Sequence, residues 1–122
     1  MLATLECMRQ EIEALLSRSA AAWSAGDLDA FMECYEDAPD TVYVSSTQFV
    51  SGYAAIRAMY AERFGRTMDR LEFNVLQLKP IETSHVLVVG SFRVAGQSGN
   101  WSLLLRKTAQ GWRISADHTW SH

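Results

Sequence analysis

The sequence predicts an α+β fold with an antiparallel sheet. Three observations carry that reading. Apolar residues recur at helical spacing over much of residues 4–64, β-branched and aromatic runs broken by turn signals dominate after residue 70, and the helices come first instead of alternating with strands.

Leu5, Met8, Ile12, Leu15, Leu16, Ala22 and Trp23 repeat at helical spacing and predict a first helix over 4–25. Gly26 stops it, because glycine enters the left-handed region without a Cβ penalty. Asp27 caps a second helix, 28–37, which groups Leu28, Phe31, Met32 and Tyr35 on one side before Pro39 helps to end it. "TVYVSS" at 41–46 has strand composition, and "TQFVSG" adds a short hairpin arm. Ser51 is the expected cap of a third helix, 52–64, carrying Ile56, Met59, Tyr60 and Phe64. Four strands are expected at about 70–79, 85–95, 100–108 and 112–120, separated by Pro80, by "GQSGN" at 96–100 and by Gly111. With no repeat and no linker, residues 1–122 read as one domain.

A net charge of −3 argues against nucleic acid as the partner, since phosphate binding needs clustered Lys and Arg. Arg63, Arg66 and Arg70 are the nearest approach to a cluster and read as a solvated face. Glu6, Glu11 and Glu13 interrupt the apolar stretch that a signal peptide needs, and no run approaches the ~18 apolar residues of a membrane span. Cys7 and Cys34 lack CxxC spacing and read as reduced thiols, so a cytoplasmic location and no membrane contact are expected. His85, His118 and His122 form neither HxH nor HExxH, so no metal site is expected. Nothing matches a nucleotide loop, a Ser-His-Asp order or a dinucleotide fingerprint, and no cofactor is implied.

The last hairpin, "RKTAQGWRISADHTW", sets Asp117 beside His118. With Ala109 and Gln110 as its loop, Lys107 lies opposite Trp112, Leu105 opposite Ile114, Leu103 opposite Ala116 and Trp101 opposite His118. Alternation then sends the two side chains to opposite faces, so they cannot act as a dyad in one pocket. On this register His118 looks inward beside Trp101, either as a proton-transfer group or as a structural histidine bonded to a carbonyl. Asp117 looks outward to pair with a base, and a three-residue loop would exchange the roles. Trp23, Tyr35, Tyr43, Tyr60, Phe64 and Trp101 form the aromatic complement of the interior, as core or as the wall of a small-molecule pocket. Among them, Tyr43 and Tyr60 are the preferred polar wall positions. Arg93 reads as a surface charge or as an anion contact.

"WSAGDLDAFMECYED…VYVSS…FVSGYAAIRAMYAERF" and "LLLRKTAQGWRISADHT" together resemble the SnoaL-like and ketosteroid-isomerase-like families of the NTF2-like superfamily, over roughly residues 10–120. The resemblance implies an NTF2-like cone: a strongly curved antiparallel sheet, barrel-like, wrapped around three helices, with a pocket open at one end. It also implies a homodimer paired through the sheet's outer face. Trp120 stands where the family pattern has serine, which would narrow one end of the pocket. The isomerases' base falls at Tyr43 or Val44 here, their tyrosine donor near Ser19 and their protonated aspartate near Leu103, so steroid isomerisation is not expected. SnoaL-type cyclases move a proton α to a carbonyl with an acid or histidine, and Asp117 and His118 lie in that region. The dehydratase branch uses two histidines, for which His85 is no clear second, and the kinase-associated branch has an arginine where this chain has Leu103.

Three functions follow as expectations. The first is binding of a small apolar or aromatic molecule without an assigned reaction. The second is a cofactor-free cyclase, isomerase or hydrolase in which His118 shuttles a proton and Tyr43 or Tyr60 orients a carbonyl. The third is a non-catalytic dimerisation module.

Overall fold

In the computed structural model, which describes residues 2–64 and 69–122, α1 (Leu2–Ala25) lays Ile12, Leu15, Leu16 and Ala22 into the core. Leu5, from the same apolar set, is exposed. Asp27 caps α2 (Leu28–Met32) as expected, its Oδ1 accepting the Ala30 N–H at 3.1 Å. The helix ends five residues before the expected boundary because the following backbone joins the sheet. The Ile114 N–H donates to the Cys34 carbonyl at 2.8 Å, and the Glu36 N–H donates to the Ile114 carbonyl at 2.8 Å. Tyr35 is thereby bridged to Ile114 and aimed inward. The Arg106 side chain clamps this segment by hydrogen-bonding the Glu36 carboxylate, Nε to Oε2 at 2.8 Å.

The sheet contains β1 (Val42–Val44), β2 (Phe49–Ser51), β3 (Glu72–Glu82), β4 (His85–Val94), β5 (Gln97–Thr108) and β6 (Gly111–Ser121), with α3 (Tyr53–Arg63) between β2 and β3. Its order is β2-β1-β6-β5-β4-β3. Two expectations change here. The pairing of β1 with β6 is parallel, since alternation within a strand carries no information on direction. The sheet is curved but unclosed, with β2 and β3 as free edges, so it forms no barrel. The N-cap of α3 is Gly52, at φ 99°, and not Ser51; a backbone angle there replaces a side-chain cap.

Pro80 lies inside β3 instead of ending it, which an edge strand tolerates. Leu76 and Ile81 are the unpaired residues at two bulges in β3, which is why both are exposed. "GQSGN" is mostly strand: the β4–β5 turn is only Ala95 and Gly96, at φ 52° and 77°. Positive φ at both turn residues suits the twist of a two-residue hairpin. Gly90 sits opposite Trp101, and a Cβ there would lie 2.3 Å from the indole, so the missing side chain lets the ring pack flat on the sheet.

The β5–β6 hairpin turns at Ala109 and Gln110, and Lys107–Trp112 and Leu105–Ile114 pair as expected. The next β5 residue, Leu104, pairs with Ala116, leaving Ser115 as an extra residue. This bulge shifts the strand by one, and a one-residue slip exchanges the faces of everything beyond it. Leu103 therefore meets Asp117, and Trp101 meets Thr119. Asp117 is 5 % exposed and faces inward, whereas His118 is exposed on the outside. The expected inward His118 and outward Asp117 are reversed.

Candidate functional site

Curvature of the sheet over the three helices leaves a cavity of about 360 Å³. Its inner wall is a row across three strands: Leu103 on β5, Asp117 on β6 and Tyr43 on β1, joined by direct pairing. Tyr35 reaches the same place from the segment clamped to β6, and Tyr60 from α3. The Tyr35 hydroxyl donates to Asp117 Oδ2 at 2.5 Å, and Thr119, two residues along the same strand face, donates to Oδ1 at 2.6 Å. The Tyr35 and Tyr60 hydroxyls lie 3.3 Å apart. With Tyr35's one proton committed to the carboxylate, Tyr60 must donate to Tyr35, so the chain runs Tyr60 to Tyr35 to Asp117.

Burial pushes the Asp117 carboxyl above its ordinary range, opposed by the Thr119 and Tyr35 hydrogen bonds and by the charges of His118 and Arg63. Burial, with the adjacent carboxylate, raises Tyr35 and Tyr60 well above the usual phenol range, which keeps both protonated and able to donate. Each Asp117 oxygen accepts one hydrogen bond and retains a second lone pair. Tyr43 is buried, lines the cavity, and its hydroxyl has no hydrogen-bond partner among the described residues. A carboxylate with spare acceptor capacity and raised basicity thus shares the cavity lining with an uncommitted hydroxyl from the residue paired with it across β1 and β6.

Trp23, Tyr35, Tyr43, Tyr60 and Trp101 all line the cavity. Phe64 stands behind it, edge-on to Trp23 at 5.3 Å between ring centres. Phe31 packs 4.8 Å from Tyr60 and helps to fix the phenol chain. Trp120 is among the lining residues, where the expected narrowing would occur, and its ring lies 4.8 Å from that of His118. Ser19 and Leu103, two positions at which the isomerase comparison failed, face the cavity and supply neither phenol nor acid. Arg93 is exposed and not among the lining residues. Arg63, read from sequence as part of a solvated face, instead lines the cavity; Arg66 lies outside the described residues. Burial raises the Cys34 thiol, which weakens it as a nucleophile at neutral pH. No cluster of three or more His, Cys, Asp or Glu suited to a metal occurs among the described residues, and none of their helices is long and apolar enough to cross a membrane.

Residues 16–121 match the SnoaL-like domain. The chain belongs to the SnoaL-like family. Its fold is similar to that of an NTF2-like protein of unknown function from Shewanella oneidensis MR-1, with TM-score 0.86, 26 % identity, and coverage of 92 % of this chain and 98 % of that one. A ketosteroid isomerase-like protein from Erwinia carotovora atroseptica SCRI1043 aligns with TM-score 0.77 at 18 % identity, over 92 % of this chain and 94 % of that one. An NTF2-like superfamily protein from Salmonella enterica serovar Typhimurium LT2 gives 0.79 at 15 % identity, over 94 % and 91 %. Comparison with curated proteins finds no match. Within this SnoaL-like fold, sequence reasoning missed the inward Asp117, its partner Thr119, and Arg63. The available signal was the Asp-x-Thr spacing of 117 and 119, which puts two polar groups on one strand face.

Proposed function

We propose that the cavity binds a small, largely apolar carbonyl compound and that Asp117 removes a proton from the carbon next to the carbonyl. The observation that carries this reading is the buried Asp117 carboxylate on the cavity wall, hydrogen-bonded by Tyr35 and Thr119 and paired across strands with Tyr43. The proton passes from carbon to a free lone pair of the carboxylate, the C–H electron pair moves into the carbonyl, and the Tyr43 hydroxyl donates to the oxygen that gains charge. Returning the proton at the same or another carbon completes an exchange or an isomerisation, and no cofactor takes part. The base replaces His118 in the role that the sequence suggested, because the imidazole lies outside the cavity.

Solvent-deuterium incorporation into a panel of aryl ketones and polyketide-like diketones, followed by NMR, tests it. Asp117→Asn should lower exchange by about 10²–10⁴-fold, whereas His118→Ala should leave it within about twofold, as for a surface residue. Because the ionised carboxyl is the active form, exchange should rise with pH through the raised Asp117 pKa and then level off. Undiminished exchange in Asp117→Asn, or its loss in His118→Ala, would contradict the assignment.

A homodimer through the outer sheet face is part of the same proposal. Leu87, Leu104 and Ala116 form a half-buried apolar row across β4, β5 and β6, on the side away from the cavity. Sedimentation should show a dimer that Leu104→Glu converts to monomer; a monomeric wild type would refute this part.

A further inference from the structure

We infer that the ligand of this cavity carries a carboxylate, held by Arg63, in addition to the carbonyl that faces Asp117. The inference rests on the functional reading above and names the substrate class for that site. Among the described lining residues, Asp117 is the one acid and Arg63 the one base. The two charges divide the work. Asp117 is buried at the inner wall, while Arg63, at the last turn of α3, is exposed to solvent.

The Arg63 guanidinium lies over the rings of Tyr60 and Tyr43, at 5.3 and 5.9 Å from their centres. Both phenols line the cavity, so the cation is held against the cavity wall by ring faces. No carboxylate among the described residues approaches it within ion-pair distance, and its hydrogen bond to the Gln48 side-chain oxygen is long, at 3.4 Å. A basic residue at a helix C-terminus is favourable wherever its head points; helix electrostatics do not account for a head that lies against two cavity phenols. A guanidinium presents paired donors that match both oxygens of a carboxylate. A ligand spanning the two ends would place its acid at the opening and its carbonyl inside, away from the buried negative charge of Asp117.

Matched probes isolate the charge: β-benzoylpropionate, an aryl ketone with a carboxylate, and its methyl ester. Calorimetry at neutral pH and low salt should give the acid about tenfold tighter binding than the ester, as one charge-assisted contact at a partly exposed site allows. Arg63→Gln should bring the two affinities together, and Arg63→Lys should retain part of the preference, with circular dichroism confirming that both variants fold. Equal affinities in the wild type, a preference that survives Arg63→Gln, or binding of neither probe would overturn the inference. Asp117→Asn separates it from the proposed reaction. That variant should lose deuterium exchange yet keep the preference for the acid. Should it keep the exchange, the reaction assigned to Asp117 falls and the anion contact stands on the affinities alone.

Discussion

Tyr35→Phe removes one oxygen and probes the whole proton chain. That oxygen donates to Asp117 at 2.5 Å and stands 3.3 Å from the Tyr60 hydroxyl, both contacts being buried. A hydrogen bond to a charged group contributes about 1.5–3 kcal/mol net, and a neutral one about 1 kcal/mol. At pH values where Asp117 is ionised, the substitution should therefore cost about 3 kcal/mol, or about 12 °C in Tm for a domain of this size. The hydrogen bond favours the ionised carboxyl and its loss raises the Asp117 pKa further, so the deficit is full above the variant's pKa and declines as pH falls from there to the wild-type value. At lower pH, with the carboxyl neutral in both proteins, two neutral hydrogen bonds are lost and the deficit should shrink to about 2 kcal/mol. Urea denaturation of wild type and variant between pH 4 and pH 8 measures the difference, with equal m-values as the control for two-state unfolding. A deficit independent of pH, or below about 0.5 kcal/mol at neutral pH, would refute a charge-assisted bond between Tyr35 and Asp117.

Asp117→Asn should stabilise the fold at neutral pH. Burial outweighs the hydrogen bonds and raises the carboxyl's pKa, so wild-type stability falls as pH rises toward the folded-state value, each unit of elevation costing about 1.4 kcal/mol. Thermal melts across pH should show the variant without that decline, and a destabilised variant would contradict it. Gly90→Ala should cost 3 kcal/mol or more by denaturant titration, an order-of-magnitude figure for overpacking with a Cβ 2.3 Å from the Trp101 ring and 2.4 Å from the Asn74 carbonyl oxygen. Ala95→Asn should gain about 1 kcal/mol, because asparagine tolerates the positive φ of this turn better than alanine does; an unchanged or lowered Tm would show that the turn is unstrained.

Much of the fold was legible because its signals are local. The apolar spacing of α1, the Asp27 cap and the two-residue loop at 109–110 each follow from a few adjacent residues. Features decided by contact with distant chain were not legible. Residues 33–37 have helical spacing, but the peptide groups around Tyr35 pair with Ile114, eighty positions away in order of magnitude, and the sheet wins that competition. The candidate site turned on Ser115. Alternation read correctly as far as Ile114, and the bulge then reversed every side chain beyond it, so the right turn still produced the wrong inward residue. Trp23, Tyr35, Tyr43, Tyr60 and Trp101 of the aromatic set line the cavity and Phe64 does not, whereas the order of donation from Tyr60 through Tyr35 to Asp117 needed three segments in place. Arg63 failed for a different reason: a basic residue in a last helical turn is ordinary in sequence, and only the position of its head over two phenols sets it apart.

Carbon-detected NMR of the Asp117 side-chain carboxyl, titrated in the intact protein, tests the central claim most directly. A single carboxyl resonance assigned through Asp117→Asn should titrate above the usual aspartate range, and it should move higher still in Tyr35→Phe. An ordinary aspartate titration that ignores the loss of the Tyr35 hydroxyl would place the carboxylate in solvent and contradict the inward-facing site.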